Sequence, residues 1–502
     1  MNKPIKIVDL FAGPGGLGEG FSSVVSGSNP VFKIVASVEK EASAHKTLTL
    51  RAFVRQFRKK EIPDEYYQYI RGSVGIGVLQ ENYKKQWLAA KNETLGGPTA
   101  LGEDNDVIHE AISEALGSNI DRWVLIGGPP CQAYSLAGRA RNNNSNNYVA
   151  EKDERHFLYK EYLEIIKKFK PAVFVMENVK GILSSSPTGR PIFEQILGDL
   201  KSPCEDLGYN IYSLSNAPRS QDLFEPIYEG KDFTIKSENY GIPQARHRVI
   251  LLGVRVDIEV NPSDVLLEKS EAVNVEQVLA CMPKLRSGLS KEKDTFDNWE
   301  KIVRRAHKEA LSLLGDKTTK LTSAKLPESR GKSFVPKSNT LSSALPGELK
   351  EWLSDKNLGG IIQHETRGHM SSDLARYVYV SLFGKYKKRS PIISEFPKHL
   401  LPNHKNIHSG KFVDRFKSQL AGSPSKTITS HISKDSHAFI HFDPVQSRGL
   451  TVREAARLQT FPENYFFEGN RTQQYVQVGN AVPPFLANQI GKVVYKLMKD
   501  FI

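Results

Sequence analysis

The stretch that decides the fold is WVLIGGPPCQAYSLAGRAR, residues 123–141. Its first four residues are apolar, as in a buried strand, and the glycines and prolines at 127–130 end that strand in a tight, stiff turn. Cys131 follows at once, at the carboxyl end of the predicted strand, where open α/β sheets bind their ligands. The polar residues after it predict a loop. The sequence therefore predicts an α/β protein with a site at this strand end.

Cys131 has two interpretations. A lone cysteine after a strand is often a small buried hydrophobic residue. The four backbone-shaping residues before it favour instead a rigidly placed nucleophile, because core packing does not require them. A thiol becomes reactive when nearby cations or a helix terminus lower its pKa, and the arginines that follow Cys131 are candidates for that role.

The composition limits the class of protein. The 502 residues suffice for two or more domains, and 69 Lys and Arg against 56 Asp and Glu favour a polyanionic partner such as nucleic acid. Three cysteines without a CxxC or a Cys/His cluster argue against a disulfide scaffold and a structural zinc site, and we expect no metal. No apolar run reaches the roughly 18 residues of a membrane span, and no signal peptide precedes the first predicted strand. We therefore expect a soluble intracellular protein with no membrane partner.

A second ligand-binding turn is predicted near the N-terminus. The run Ile5–Leu10 predicts a strand, and a glycine-rich turn over residues 13–20 follows it, with a helix expected from Phe21. Glycines at such a turn let a ligand approach the backbone, next to the partial positive charge of a helix N-terminus. The next predicted strand, Phe32–Val38, leads to Glu39, where an acid often holds a ribose. The pattern favours a nucleotide-like ligand, with an ordinary solvated carboxylate as the alternative for Glu39.

Glu177 is expected at the same sheet edge as Cys131. Residues 157–169 have helical spacing, and residues 172–176 form an apolar run that leads directly to Glu177. Two parallel strands joined by a helix end at the same edge, so Cys131 and Glu177 would lie close together. Glu177 could then share a proton with a ligand, or it could simply cap the next turn.

Two arginines precede a later strand. Gln244, Arg246 and Arg248 alternate ahead of the apolar residues 249–254, so in an extended segment they share one face. Arginines that enter a core in this way need anionic partners, and we expect either Glu177 or a bound polar ligand.

The remaining segments are less regular. The segment 51–120 contains a basic run that we expect to be a solvated helix face: Arg51, Arg55, Arg58, Lys59 and Lys60. The segment 256–449 loses the strand–helix alternation and predicts a second, smaller, irregular domain with a charged, solvent-facing helix over 291–308. Order returns at 450–502, which predicts a capping box of Thr451 and Glu454 before a helix at 455–459, a turn over 477–484 and a final amphipathic helix.

Together these stretches resemble the cytosine-5 DNA methyltransferases. The matching motifs, in family order, are DLFAGPGGLGEGF (9–21), GGPPCQAYSLAGR (127–139), ENVKGI (177–182), QARHRV (244–249), LTVREAARLQTFP (450–462) and QVGNAVPP (477–484). The resemblance implies a Rossmann-like, S-adenosylmethionine-dependent methyltransferase domain over 1–255, interrupted by an insertion at 51–120. It also implies a target-recognition domain over 256–449 and a C-terminal segment, 450–502, that returns to the catalytic domain.

The resemblance also implies roles for individual residues. Cys131 would add to C6 of a flipped-out cytosine, Glu177 would hold the N3/N4 edge, Arg248 would hold O2, and Arg246 would support Glu177. The methyl donor, S-adenosyl-L-methionine, would contact Phe11, Gly13, Gly15, Gly16, Leu17, Glu39, Pro129, Leu158, Asn480 and Val482. DNA would contact Gln132, Ser135, Arg139 and Arg141. The acid that contacts adenine is open between Asp104 and Asp106, because the insertion obscures the family's acidic turn.

The predicted function is site-specific methylation of cytosine C5 in duplex DNA, in a bacterial, cytoplasmic, nucleoid-associated enzyme of a restriction–modification system. We expect double-stranded DNA as the partner, a monomer on DNA, and a cognate restriction endonuclease that acts separately. Three alternatives are an RNA cytosine-5 methyltransferase, a DNA-binding homologue that has lost catalysis, and a nicotinamide enzyme. The long basic segment at 256–425 disfavours the first, the intact residues Cys131, Glu177, Arg246 and Arg248 disfavour the second, and Gly-Gly-Pro-Pro-Cys disfavours the third.

Overall fold

The computed structural model describes residues 3–118, 121–130, 158–185, 191–219, 226–315, 325–338, 340–403 and 415–499. Within these ranges, no helix is both long enough and apolar enough to cross a bilayer.

The first half of the chain alternates strands and helices. Its elements are β1 (Ile5–Leu10), α1 (Gly16–Ser22), β2 (Phe32–Val38), α2 (Ala42–Val54), α3 (Asp64–Ile70), α4 (Ile76–Asn82), α5 (Lys84–Glu93), α6 (Asn105–Leu116), β3 (Trp123–Gly127), α7 (Leu158–Phe169), β4 (Val173–Val179), α8 (Ile192–Lys201), β5 (Tyr209–Tyr212), β6 (Thr234–Lys236), β7 (Gln244–Ala245) and β8 (His247–Arg255).

The second half is richer in helices and short ladders. Its main elements are α9 (Val275–Leu279), α10 (Phe296–Leu313), β9 (Gly331–Pro336), α11 (Gly347–Leu353), β10 (Gly360–Glu365), α12 (Ser371–Lys387), β11 (Ser425–Lys426), α13 (Val452–Leu458), α14 (Arg471–Asn480) and α15 (Pro484–Met498). Strands β9 and β10 form an antiparallel pair, and β11 pairs in parallel with β7.

The central sheet has the strand order β2-β1-β3-β4-β8-β5, with β6 paired to β8. The strands from β2 to β4 are parallel, and β8 runs antiparallel to its neighbours. The chain leaves β1 to one side to form β2 and then crosses to the other side to form β3. The carboxyl ends of β1 and β3 therefore flank the crevice where α/β sheets of this kind bind ligands.

Both faces of the sheet are covered, as the predicted doubly wound α/β class requires. Successive residues of a strand point to opposite faces. Ile7 packs on the face that also holds residues of α1, α13 and α15, whereas Val8 packs on the face that holds residues of α6, α7 and α8. The continuous apolar runs of β3 and of residues 173–176 in β4 are those of strands buried on both faces.

Helix α1 begins at Gly16, so the prediction that it starts at Phe21 is wrong by five residues. The glycines inside α1 are explained by packing. A Cβ on Gly16 would lie 2.4 Å from the carbonyl oxygen of Val482, and a Cβ on Gly20 would lie 2.4 Å from Cβ of Ala487. The helix can lie against α15 at this distance only because these positions carry no side chain.

The basic run in the insertion is only partly solvated, which corrects its interpretation as a solvated helix face. The side chain of Arg51 is buried and forms an ion pair with Glu19 at 2.5 Å, and Arg55 forms one with Glu93. Arg58, Lys59 and Lys60 are exposed as expected. The partner acids lie 32 and 38 positions away in the chain, where a sequence window does not reveal them.

The charged helix predicted at 291–308 is α10, which begins at Phe296 with Thr295 as its N-cap and is not wholly solvent-facing. Trp299, Val303 and other residues on one side of it are buried in an apolar cluster with α12. The described members of this cluster lie between Leu289 and Val445, within the predicted recognition segment.

The C-terminal prediction is right in its capping box and wrong in its turn. Thr451 and Glu454 form the reciprocal capping bonds, and the helix they open is α13, which starts at Val452, three residues earlier than expected. The residues expected as a turn at 477–484 are helical up to Asn480, where α14 ends, and α15 starts at Pro484. The final helix buries its apolar face on the core, as its amphipathic pattern indicated.

Candidate active site

The turn after β1 leaves its backbone open on one side. Phe11 and Gly13 have left-handed backbone angles, with φ of 56° and 58°, and a Cβ on Gly13 would meet none of the described residues within 4 Å. On the other side, a Cβ on Gly15 would lie 2.9 Å from Leu48 Cδ1 and 3.0 Å from the Tyr465 hydroxyl. A ligand can therefore approach the peptide at Gly13, while the peptide at Gly15 is covered by protein.

Gly16 and Leu17, two further predicted donor contacts, lie behind this turn. Gly16 abuts the carbonyl of Val482, and Leu17 is buried in the core cluster that also contains Val482. These residues join the glycine turn to the segment between α14 and α15.

Glu39 reaches back across the sheet edge to the glycine turn. Its Oε2 accepts the backbone N–H of Gly13 at 2.8 Å, and its Oε1 accepts that of Glu41 at 2.7 Å. Burial raises the pKa of Glu39 above its ordinary value, and these two N–H groups act in the opposite direction. Each carboxylate oxygen has a second lone pair, so Glu39 can still accept a hydroxyl donor.

The turn before α6 lies next to Glu39. The backbone N–H of Thr99 donates to the carbonyl of Glu39 at 3.0 Å, and Leu158 packs near Gly102 in the same turn. Asp104 is exposed and accepts the N–H of Ala100 at 2.8 Å. Sequence reasoning missed Thr99, whose buried hydroxyl has no hydrogen-bond partner among the described residues.

Asp106 is exposed in the first turn of α6. Both acids proposed for the adenine contact therefore lie on the solvent side of this turn.

The residues before Cys131 lie against Glu177. Strands β3 and β4 pair in parallel up to Gly127 and Met176, so their ends are side by side as predicted. A Cβ on Gly128 would lie 3.1 Å from Oε2 of Glu177, and the Asn178 side chain donates to the carbonyl of Pro129 at 3.3 Å. The remaining predicted residues of this loop lie outside the described residues: Cys131, Gln132, Ser135, Arg139 and Arg141.

Glu177 forms an ion pair with Arg248. The distance from Arg248 Nε to Glu177 Oε1 is 2.9 Å, and the two side chains are 16% and 13% exposed. The antiparallel register of β4 and β8, which places Arg248 opposite Val179 and Ile250 opposite Glu177, brings them together. A carboxylate and a guanidinium are therefore fixed beside each other, with one edge still reachable from solvent.

Arg246 is buried and forms neither a hydrogen bond nor an ion pair with Glu177. It donates to the carbonyls of Ile428 at 3.0 Å, Gly479 at 3.2 Å and Asn480 at 3.5 Å. The expected pairing with Glu177 is thus corrected for Arg246, because the carbonyl of Ile428 and the last carbonyls of α14, at the negative end of its dipole, accept the guanidinium. Burial lowers the pKa of Arg246 below its ordinary value, and nearby Arg248 adds to this effect. The contact also fixes the backbone of Asn480, a predicted donor contact.

Asp9, in the middle of the apolar β1, is a polar residue that sequence reasoning did not select. It is buried, and neither of its carboxylate oxygens has a hydrogen-bond partner among the described residues. Burial raises the pKa of Asp9 to about 8, against the opposing effect of Arg55. Asp9 could have been selected from the sequence, because it is an acid among the apolar residues Ile7, Val8 and Leu10.

The described side chains contain no cluster of three or more potential metal ligands. The doubly wound sheet, the open glycine turn with its acid, and the Glu177–Arg248 pair at the crevice define a Rossmann-like enzyme that binds a nucleotide-type cosubstrate.

Comparison with known proteins specifies the class further. The model of the C-5 cytosine-specific DNA methylase family matches residues 102–496, and the chain belongs to this family. It is 30% identical to the type II methyltransferase M.Bpa9945I of Bacillus paralicheniformis, over 97% of this chain and 98% of that protein. It is 24% identical to the type II methyltransferase M.AgeI of Thalassovita gelatinovora, over 98% and 99% of the two chains.

A putative DNA modification methyltransferase encoded within a prophage of Escherichia coli has the same fold, with a TM-score of 0.55, 18% identity and 99% coverage of both chains. The predicted family, fold class and enzyme class are thereby confirmed: the chain is a Rossmann-like DNA cytosine-5 methyltransferase.

Proposed function

We propose that this enzyme methylates C5 of a flipped-out cytosine within one short motif of duplex DNA and protects host DNA in a restriction–modification system. The names of its relatives, which are type II methyltransferases, support the second part. The observation that carries the chemistry is the Glu177–Arg248 pair, which lies against the turn that leads to Cys131.

Glu177 and Arg248 are suited to hold the edge of a cytosine. One Glu177 oxygen is paired with Arg248 Nε, and a Cβ on Gly128 would lie only 3.1 Å from the other, so the glycine leaves that oxygen uncrowded. We assign Glu177 to the N3/N4 edge, because a carboxylate accepts the amino group and, when protonated, can donate to N3. We assign to O2 the N–H groups of Arg248 that are bonded neither to Glu177 nor to the carbonyl of His247. Arg246 would act as a positioning residue that fixes the start of β8 relative to Asn480.

Cys131 is proposed as the nucleophile. Its thiolate would form a bond to C6 of the base, and the electron pair moved to C5 would take the methyl group. Loss of the C5 proton to a base and departure of Cys131 would then restore the aromatic ring and the free thiolate. S-adenosyl-L-methionine supplies the methyl group, and we propose that no metal takes part.

The turn after β1 fits such a donor. Gly13 is open on the ligand side, and the Glu39 carboxylate beside it retains lone pairs for the ribose hydroxyls. We propose the set named from the resemblance as donor contacts: Phe11, Gly13, Gly15, Gly16, Leu17, Glu39, Pro129, Leu158, Asn480 and Val482. Gly16 and Leu17 would act through backbone position, because their side chain positions face protein.

The DNA-reading part is proposed to be the segment 256–449. Its apolar cluster around Trp299, Leu374 and Phe416 gives it a core of its own, which supports a second domain. Gln132, Ser135, Arg139 and Arg141 are proposed to contact DNA from the Cys131 loop. We further propose that the enzyme acts as a monomer on DNA, in the bacterial cytoplasm at the nucleoid, with a separate cognate endonuclease.

The decisive experiment is methyl transfer from labelled S-adenosylmethionine to mixed-sequence duplex DNA, followed by bisulfite sequencing of the product. Wild type should methylate cytosine C5 within one motif, and Cys131→Ala should abolish transfer. Cys204→Ala is the matched control, because Cys204 lies away from the Gly128–Glu177 site, beside Asp206, and its loss should leave activity unchanged.

Transfer to RNA but not to DNA would move the substrate assignment to RNA. Tight DNA binding without any transfer would identify a homologue that has lost catalysis, and undiminished transfer by Cys131→Ala would exclude the proposed nucleophile.

A further inference from the structure

The insertion shares a hydrophobic cluster with the proposed DNA-reading segment. Helices α2–α5 enclose Phe53, Tyr66 and Leu79, and the same cluster contains Leu358, just before β10, and Ile362 within it. Phe334 of β9 packs on its border. The β9–β10 hairpin, by which we mean these two strands and the segment that joins them, therefore contacts the insertion in addition to α13, whose Arg453 donates to the carbonyl of Ile362 at 3.2 Å.

Arg71 binds the backbone of this hairpin. Its Nε donates to the carbonyl of Leu358 at 3.0 Å, and a second nitrogen donates to the carbonyl of Asn357. The guanidinium also lies over the ring of Phe334, 5.7 Å from its centroid. Because the acceptors are backbone carbonyls, Arg71 fixes the path of the chain as it enters β10.

Tyr67 binds a side chain in the same place. Its hydroxyl donates to Oδ2 of Asp355 at 2.9 Å, and the same oxygen accepts the side-chain amide of Asn464 at 2.5 Å. Asp355 thus joins the insertion, the hairpin and the segment after α13.

The contacts continue from Asp355 to the glycine turn. The other side-chain atom of Asn464, Oδ1, accepts from Arg51 at 3.1 Å, and Arg51 is paired with Glu19 of α1. Asn464, Arg51 and Glu19 are all buried. A chain of buried polar contacts therefore runs from the helix after the donor turn to the β9–β10 hairpin.

We propose that the insertion is a strut that holds the β9–β10 hairpin at a fixed position relative to the active-site edge, with Arg71 and Tyr67 as its positioning residues. The inference rests on the proposed DNA-methylating function. Interfaces between domains of one chain allow relative motion unless specific contacts restrain it, and an ångström of misplacement at an active site costs large factors in rate. Loss of the strut should weaken productive DNA binding and leave the donor site intact.

The test compares Tyr67→Phe and Arg71→Met with the control Tyr83→Phe. Each tyrosine variant removes one hydroxyl from the insertion, but Tyr83 donates to Glu65 at 2.9 Å within the insertion itself. The measurements are KM and kcat for a duplex with the target motif, Kd for S-adenosylmethionine, the ratio of off-motif to on-motif methylation, and Tm.

We expect Arg71→Met to raise KM for DNA about tenfold and to increase the off-motif ratio, since it removes two bonds to the hairpin. Tyr67→Phe should act in the same direction by about threefold to fivefold. The donor Kd should stay within about twofold, and Tyr83→Phe should match wild type in every measurement.

The proposal is overturned if both variants bind and methylate DNA like wild type, or if Tyr83→Phe produces the same changes. It is also overturned if the donor Kd rises by the same factor as KM for DNA, because the substitution would then disturb the whole active-site region and not only the position of the hairpin. Should Arg71→Met fail to fold, the isosteric Tyr67→Phe decides alone. Absence of DNA methylation by the wild-type enzyme would refute the proposed function instead, and faster amide exchange of β9 and β10 in Tyr67→Phe would then still test the strut.

Discussion

Two groups of buried polar residues in this enzyme differ in how their charges are satisfied. Around α13, Arg448 is paired with both carboxylate oxygens of Glu454 at 2.7 Å, and Arg457 forms a pair with Glu463 at 2.7 Å. At the active-site edge, Arg246 has only carbonyl acceptors, and Asp9 has no hydrogen-bond partner among the described residues.

For these residues, the difference distinguishes ion pairs inside the fold from groups near the proposed ligand turn. Carbonyl acceptors alone do not mark the site, because Arg453 of α13 also donates to carbonyls. A buried donor or acceptor left unsatisfied costs about 1–3 kcal/mol, so a fold keeps such groups mainly where they serve another purpose. The α13 pairs have little hydrogen-bonding capacity left over. Arg246 and Asp9, at the sheet edge, retain unused hydrogen-bonding groups. They lie near the glycine turn proposed to bind the donor and near Glu177, which is proposed to bind the base.

The largest expected effect comes from breaking a saturated pair. Arg448→Met leaves Glu454 buried without its cation, and loss of one partner of a buried ion pair costs about 3–5 kcal/mol. Thermal unfolding should show a correspondingly lower Tm. The matched control is Arg389→Met, because Arg389 pairs with Glu395 at the surface and should contribute less than about 1 kcal/mol. Equal shifts in Tm for the two variants would show that the buried Arg448–Glu454 pair contributes no more to stability than an exposed pair.

At the active-site edge, the expected effect falls more on rate than on stability. Glu177→Gln keeps the shape and removes the carboxylate, so kcat should fall by about 10²–10⁴, the usual contribution of a proton-transferring group. Tm should fall less than in Arg448→Met, because the Glu177 and Arg248 side chains are 13% and 16% exposed, whereas Glu454 and Arg448 are 1% and 0% exposed. Glu164→Gln, an exposed carboxylate on α7, serves as the control. A kcat within about twofold of wild type would contradict the proposed role.

A more gradual effect, visible only across a pH series, is expected for Asp9. Its pKa is about 8 in the folded chain against 3.8 without the fold, so between these values the folded protein holds a proton that the unfolded chain has released. Stability should then fall as pH rises, by about 1.4 kcal/mol per pH unit from this group. Asp9→Asn removes that dependence, so the Tm of the variant minus the Tm of wild type should increase steadily from pH 5 to pH 7.5. Parallel curves of Tm against pH would show that Asp9 is not protonated in the fold.

The sequence was informative where structure is determined locally. Strands β1, β2 and β3 were predicted because they are mainly apolar and end in glycine turns or acids, and the alignment of the β3 and β4 ends follows from parallel pairing. The Thr451–Glu454 capping box was readable for the same reason.

Long-range partners were not readable. The helical start at Gly16 depends on Val482 and Ala487, and the burial of Arg51 depends on Glu19. The carbonyl acceptors of Arg246 come from Ile428, Gly479 and Asn480, which no local pattern connects to it. Of the candidate site, Glu177, Arg248 and Glu39 were predicted from the motifs, and Glu177 was one of the two partners expected for the arginines. That Arg248 and not Arg246 pairs with Glu177, and that Glu39 accepts the N–H of Gly13, had to come from the fold.

The glycines of α1 have a consequence for how the enzyme is made. Gly20 accepts a hydrogen bond from Asn488, 468 positions later in the chain, so the helix that shapes the donor turn can dock only after α15 has been synthesised. A chain that emerges from the ribosome from its N-terminus must therefore hold its first strands and this helix without their final partner during most of translation. Such distant contacts slow folding and expose apolar surface meanwhile. A truncated or half-made chain would then lack the completed donor turn, and a nascent methyltransferase would stay inactive until its synthesis is nearly complete.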